Sequence, residues 1–268
     1  MEISGSNINV SFGKTSILND VSMKAFNNKF VGIIGPNGSG KSTFLKCIYR
    51  VLKPNGGVVM IDGTEIQKIS VKDSAKRVAV VAQHNFYNFD FPVEEVVLMG
   101  RSPHKKNLES DNANDYQIVN QSLEKVGMTS FKGRSFSTLS GGEQQRIILA
   151  RALAQQTDCI ILDEPTNHLD IKYQLQLLDI VKNSKLTIIS AIHDLNIASM
   201  YCDYIYAMKN GNVMLEGTPE EVLTPKLIKE LYEVDADVWK DKFSRLNITY
   251  YPKHILEGDN NENFNSAL

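Results

Sequence analysis

The sequence lacks an excess of either charge: across 268 residues, 29 basic and 31 acidic side chains leave a formal charge of −2. A nucleic-acid binder covers its partner's phosphates with surplus lysine and arginine, so no nucleic-acid partner is expected. Long apolar runs are also missing. Residues 78–82 and 159–162 are among the longest, far short of the roughly 18 residues a helical membrane crossing needs. The opening Met1-Glu2-Ile3-Ser4 has neither the basic nor the apolar segment of a secretory signal, and a cytoplasmic location is expected. Cysteine is scarce. Cys47, Cys159 and Cys202 are odd in number and far apart, which excludes a disulfide framework or metal spacing and leaves them as small buried hydrophobes. The rest, 42% hydrophobic and 22% charged, is an ordinary globular mix with room for one large or two small domains.

Patterning along the chain places the motifs. Ile8, Val10 and Phe12 alternate with polar residues and a second such run follows over 17–26, predicting an antiparallel hairpin. Residues 30–34 are apolar without alternation, as in a strand buried on both faces. A glycine-rich turn follows, and then Phe44, Leu45, Ile48, Val51 and Leu52 recur at helical spacing until Pro54. Residues 58–61 with Asp62-Gly63, and 78–82, predict further strands. From about 91 to 156 the character is helical, with helices over 93–99 and 113–126 and a solvated polar loop over 105–114. Strands over 159–162, 186–191 and 204–208 then alternate with helices over 171–181 and 195–201, an α/β parallel-sheet pattern. Asn210-Gly211 predicts a hairpin turn, Thr218-Pro219 and Thr224-Pro225 two helix starts, and 234–239 with 246–251 a last hairpin. From Glu257 the chain is too polar to pack.

Three constellations carry chemistry. Gly35-Pro36-Asn37-Gly38-Ser39-Gly40-Lys41-Ser42-Thr43 lies between a predicted strand and helix. Glycines let backbone N–H groups converge on an anion, the helix N-terminus adds partial positive charge, Lys41 neutralises β- and γ-phosphates, and the Ser42 hydroxyl ligates Mg²⁺. Asp163 and Glu164 end a buried strand. Beside a phosphate loop, Asp163 would hold the magnesium water shell and Glu164 would serve as general base for an attacking water. ATP or GTP hydrolysis is the reaction this predicts. In Leu139-Ser140-Gly141-Gly142-Glu143, Ser140 and Glu143 have capping-box spacing. Two glycines in a first turn cost roughly 1 kcal/mol each against alanine, so the motif reads either as a cap or as a second anion site that needs bare backbone.

In order and spacing these three motifs resemble those of the ATP-binding cassette ATPases, over roughly residues 2–232. The resemblance implies an α/β fold: a P-loop NTPase with a RecA-like core and an antiparallel β subdomain, plus an α-helical subdomain. It gives an ATPase domain over 1–232 with the helical part inserted over about 84–156, a C-terminal β-hairpin extension over 233–256, and a tail over 257–268 expected to be disordered. By the same resemblance Gln83 contacts Mg²⁺ and the attacking water, His193 hydrogen-bonds the γ-phosphate, and Asp170 lies in the loop that crosses to the opposing subunit. Phe12 takes the place of an adenine-stacking aromatic, usually tyrosine. Ser140, Gly141, Gly142 and Glu143 contact the nucleotide of a second chain, so the implied assembly is a head-to-tail homodimer around two ATP molecules.

Gly100-Arg101-Ser102-Pro103-His104 and Leu169-Asp170-Ile171, with Gln174 and Gln176, are similar to the branch serving ferric-siderophore, haem and cobalamin uptake. This implies permease subunits on other chains, an indirect substrate-binding protein, and a place on the cytoplasmic face of the membrane. The alternatives are a zinc or manganese importer ATPase and a soluble ATPase of the iron-sulfur assembly type.

Overall fold

The computed structural model describes residues 1–82, 90–106, 109–166 and 169–252. The chain opens with β1 (Ile3–Phe12) and β2 (Thr15–Ala25), enters β3 (Phe30–Ile34), and passes through α1 (Lys41–Ile48) to β4 (Gly56–Ile61) and β5 (Thr64–Glu65). The first, second, fourth and fifth strands make an antiparallel sheet in the order β2-β1-β4-β5. After α2 (Val71–Ala75) come β6 (Val78–Val81), the helices α3 (Val93–Leu98), α4 (Ala113–Lys125) and α5 (Gly141–Ala154), and then β7 (Cys159–Asp163). Next are α6 (Ile171–Asn183), β8 (Thr187–Ala191), α7 (Leu195–Tyr201), β9 (Tyr204–Lys209) and β10 (Asn212–Gly217). The chain continues through α8 (Pro219–Val222) and α9 (Pro225–Tyr232) into the hairpin β11 (Asp235–Lys240) and β12 (Leu246–Tyr251).

The central sheet has the order β10-β9-β3-β8-β7-β6, parallel except for the edge strand β10. Its inner strands β3 and β7 are buried on both faces because both faces are covered, whereas the edge strand β10 is largely exposed. In β7, Cys159 and Ile161 join the core beneath the antiparallel sheet and α1, while Ile160 and Leu162 join the core of the helices. Period-two alternation therefore divides one strand between two hydrophobic cores. All three cysteines are free and buried, and burial pushes the Cys47 thiol up to about 11. Among the described residues no helix is long and apolar enough to cross a membrane.

Two local expectations need correction. The helix expected to run on to Leu52 ends at Ile48. Arg50 adopts φ 64° and its N–H reaches the Cys47 carbonyl at 3.3 Å, while the Val51 N–H reaches Lys46 at 3.0 Å. That is a left-handed C-terminal turn formed without the usual glycine, and it leaves Val51 exposed. The polar segment 105–114 is not simply solvated. Lys105 pairs with Asp111 and Asp115, and Arg101 Nε reaches Asp115 at 3.1 Å. Asp115 is only 3% exposed. Burial alone would raise its carboxyl, but Lys105, the Asn112 amide and Arg101 hold it down to about 2. Arg101 also donates to the Ala154 carbonyl at 2.8 Å, tying the turn over Met99–His104 to the end of α5.

Candidate functional site

Adjacent strands β3, β8 and β7 end at the same edge of the sheet, where α/β folds place their ligands. The phosphate-loop segment leaves β3, His193 follows β8, and Asp163 and Glu164 close β7. Gly40 is the N-cap of α1 at φ 105°, with no side-chain cap and no acid in the first turn. A Cβ there would lie 2.6 Å from Leu18 Cδ2, so both conformation and space require glycine. Among the described residues the first N–H groups of α1 thus receive no side-chain cap at a positive helix end. Asn37 and Gly38 are exposed at the crest of the loop, Pro36 is half-buried, and Gly35 and Ser39 are buried beneath it. Thr43, half-buried, continues the first turn.

Lys41 folds back over this loop, its Nζ donating to Gly35 at 2.8 Å and Pro36 at 3.1 Å. Burial pushes its pKa down, and Glu164 and Asp163 pull it back up. Ser42 Oγ donates to Asp163 Oδ1 at 2.8 Å. Burial raises the Asp163 carboxyl, opposed by the Ser42 hydrogen bond and reinforced by Glu164. Among the described residues no group of three or more histidine, cysteine or carboxylate side chains forms a metal cage. The Ser42 and Asp163 oxygens are a partial hard-donor set, the kind Mg²⁺ takes while completing its shell with phosphate and water.

Glu164 lies at φ 52°, a left-handed conformation rare for a side-chain-bearing residue. His193 Nε2 stands 2.5 Å from Glu164 Oε1. The backbone behind the histidine is fixed by the Ile192 N–H, which donates to Ile33 at 3.0 Å. A carboxylate and an imidazole are thereby brought into contact beside the open end of α1, an arrangement suited to orienting water and moving a proton.

The Ser140–Glu143 motif is built differently. The Ser140 hydroxyl donates to Glu143 Oε2 at 2.8 Å and accepts from the Glu143 N–H at 3.4 Å, and the Ser140 N–H donates to the same carboxylate at 2.8 Å. The capping box is complete. Among the described residues none of these bonds reaches the phosphate loop. Gly141 faces open space and Gly142 packs toward Tyr173, whose ring carries the Arg146 guanidinium at 4.9 Å. Asp170 is the N-cap of α6, but its side chain makes no cap bond; its carbonyl accepts from Tyr173 and Gln174. Phe12 ends β1 and is 58% exposed. Gln83 lies outside the described residues.

Residue reasoning missed the supports of this region. Gln174 donates to the carbonyls of Thr166 at 3.0 Å and Leu169 at 2.9 Å, and Gln145 to that of Pro165 at 3.4 Å, strapping the segment after the carboxylates to both neighbouring helices. In the sequence Gln174 marks only the resemblance to one branch of the family, and nothing marks the carbonyls that either glutamine holds.

Comparison with known proteins agrees with this geometry. The profile of the ABC transporter family matches residues 18–167. The chain is 37% identical over 243 residues to the iron(3+)-hydroxamate import ATP-binding protein FhuC of Bacillus subtilis (strain 168), covering 89% of this chain and 90% of that protein. It is 34% identical to the ferric enterobactin transport ATP-binding protein FepC of Escherichia coli (strain K12), covering 85% of this chain and 86% of that protein. Among solved structures, MJ1267, an ATP-binding cassette of an ABC transporter in its ADP conformation, superposes with a TM-score of 0.77 at 26% identity, over 87% of this chain and 99% of that one. With an open phosphate loop facing a carboxylate pair and a histidine, and with relatives matched along most of its length, the chain belongs to the ABC transporter family as an ATP-binding ATPase subunit.

Proposed function

We propose that the chain hydrolyses ATP to power a membrane importer of ferric siderophores. The observation that carries the chemistry is the convergence of the loop 35–43, Asp163, Glu164 and His193 at three neighbouring strand ends. The choice of solute is supported by the iron-hydroxamate and ferric-enterobactin relatives. Haem or cobalamin import is the related alternative, since the Gly100–His104 element resembles the branch that serves all three.

In this reading the loop amides and Lys41 take the β- and γ-phosphates, Lys41 exchanging its carbonyl partners for phosphate oxygens. Ser42 and Asp163, with Gln83, would hold Mg²⁺, which would supply charge neutralisation to the phosphates. Glu164 accepts the proton of the attacking water, and His193, held against it, orients the pair and reports on the γ-phosphate. Phe12 offers its exposed ring to adenine.

Among the described residues the start of α5 makes no bond to its own chain's phosphate loop, which supports a head-to-tail homodimer in which Ser140, Gly141, Gly142 and Glu143 complete the partner's site and Asp170 lies at the crossing. The ATPase domain spans 1–232, with its helical part over about 84–156 and the extension over 233–256; the tail 257–268 lies outside the described residues. Permease subunits sit in the membrane, and the chain works at their cytoplasmic face, with a substrate-binding protein beyond. A groove of about 630 Å³ lined by Val51, Val71 and Met99, all exposed apolar side chains, is the proposed permease seat. Its wall is the turn that Arg101 and Asp115 anchor.

The direct test is Glu164→Gln. Removing the base lowers turnover by about 10² to 10⁴-fold while ATP binding survives, measured by phosphate release and nucleotide titration. Near wild-type turnover would refute the general-base assignment. Capture from detergent-solubilised membranes tests the importer reading: it predicts a polytopic permease, and recovery of soluble partners alone would overturn it.

A further inference from the structure

The hairpin β11–β12 forms its own two-stranded sheet and contributes no strand to the central one. Its inner face packs through Ala236 and Ile248 onto the helical core. Its attachment falls on α7, the helix that begins two residues after His193. The Asn196 side chain meets one residue of β12 twice, accepting from the Ile248 N–H at 2.8 Å and donating to the Ile248 carbonyl at 3.2 Å. The Ser199 hydroxyl donates to the Leu246 carbonyl at 3.0 Å. The Tyr250 hydroxyl faces the Leu195 amide, with the Asp194 carboxylate nearby. The α9 helix that leads into the hairpin brings the buried Tyr232 hydroxyl over the Gly35 amide, without a completed hydrogen bond.

The inner face of α7 is packed into the core through Leu195, Ile197, Ala198 and Tyr201, while its outer face is bonded to the hairpin through Asn196 and Ser199. On the core side, the segment is held by the Ile192 bond to Ile33 and by Asp194, which caps the amides of Asn196 and Ile197 at 2.8 and 3.1 Å. On the outer side, the side-chain bonds from Asn196 and Ser199 run to the hairpin backbone.

We infer that the C-terminal hairpin is the outer wall that aims His193 at the nucleotide, and that Asn196 is the positioning residue joining them. The inference rests on the role proposed above for His193. Misplacing a catalytic group by about 1 Å costs on the order of a hundredfold. With the Ile192 and Asp194 bonds intact, losing the Asn196 pair lowers kcat by about tenfold and leaves KM within about twofold, because Lys41 and the phosphate loop still hold ATP.

The test compares Asn196→Ala, His193→Ala and the double variant in the full chain, reading kcat and KM with the thermal midpoint as a check on folding. The expected result is the kcat loss without a KM change, with no added loss when Asn196→Ala is placed on His193→Ala. If His193→Ala loses turnover while Asn196→Ala keeps it, or if the two losses add in full, the hairpin does not act through His193. Should His193→Ala itself turn over normally, the role of His193 fails first and the inference falls with it. Ser199→Ala and Tyr250→Phe, milder cuts of the same attachment, read the same split if Asn196→Ala does not fold.

Discussion

Two helices of this chain start on glycine-rich sequence, and they are finished in opposite ways. The start of α1 has a left-handed glycine as its cap, no acid in its first turn and Lys41 folded beside it. That of α5 is closed by its own serine and glutamate, and the carboxylate sits on the positive end of the helix. The first is ready for phosphate within one chain. Because α5 has already satisfied its cap with the Ser140 hydroxyl and the Glu143 carboxylate, what it offers an anion among the described residues is the Gly141 backbone, which faces open space. In the proposed function one helix end binds nucleotide, and the other meets a nucleotide held by a second chain.

The largest expected effect that separates the two ends comes from Lys41→Ala. Loss of a charge-assisted phosphate contact weakens ATP binding by about 2 to 3 kcal/mol, on the order of a hundredfold, in a nucleotide titration. An unchanged dissociation constant would remove α1 from the account. Alanine at the glycines sharpens the contrast. Gly40→Ala forces a Cβ into a left-handed position against Leu18, and costs about 1 to 3 kcal/mol of stability in denaturant unfolding along with nucleotide affinity. Gly141→Ala points into open space and stabilises α5 by up to about 1 kcal/mol, yet it lowers turnover. If Gly141→Ala raised stability and left turnover alone, the bare backbone there would have no function.

Smaller effects test the closed end. Ser140→Ala removes the cap and costs about 1 kcal/mol in the lone chain. Hydrogen bonds from the Ser140 backbone and hydroxyl hold the Glu143 carboxyl below its ordinary value of 4.5. A depressed folded value means the contribution is present above the unfolded pKa and is lost as pH falls through the folded one. Acidification to below the ordinary carboxylate value therefore lowers the hydrogen-exchange protection factor at the start of α5, and leaves that of α1, which has no acidic residue in its first turn, unaffected by this route. Equal changes at both helix ends would contradict the distinction.

How much of this was legible in the sequence follows from the range of the contacts. The phosphate loop is nine consecutive residues whose work is done by backbone and immediate neighbours, so its place between a strand and a helix could be read directly. The parallel strands were legible because burial on both faces leaves them uniformly apolar. What stayed hidden are pairings between distant positions. Arg101 meets Asp115 across 14 residues, and Asn196 meets Ile248 across 52. Neither pair belongs to a periodic pattern, and an asparagine in a helix's first turn carries no mark of the strand it bonds. The early end of α1 was hidden for another reason. Arg50 adopts the conformation usually left to glycine, its guanidinium donating to the Ile69 carbonyl at 2.7 Å, so no residue type announced the stop. The contact of Glu164 with His193 was not legible, since 29 residues, with α6 and β8, separate them.

The central claim is that an open helix end in one chain works with a closed one in another, and mixing two inactive variants tests it directly. Lys41→Ala leaves the start of α5 intact. Gly141→Asp leaves the phosphate loop intact and adds an acid that suits a helix N-terminus but repels phosphate. Each alone is expected to be silent in ATP turnover. Mixed, they form dimers in which one of the two sites has both a sound loop and a sound partner helix, and turnover reappears at up to about a quarter of wild type, since about half the dimers are mixed and each has one working site. A mixture as silent as its components would mean that both helix ends serve the same chain's nucleotide, and the comparison drawn between them would be wrong.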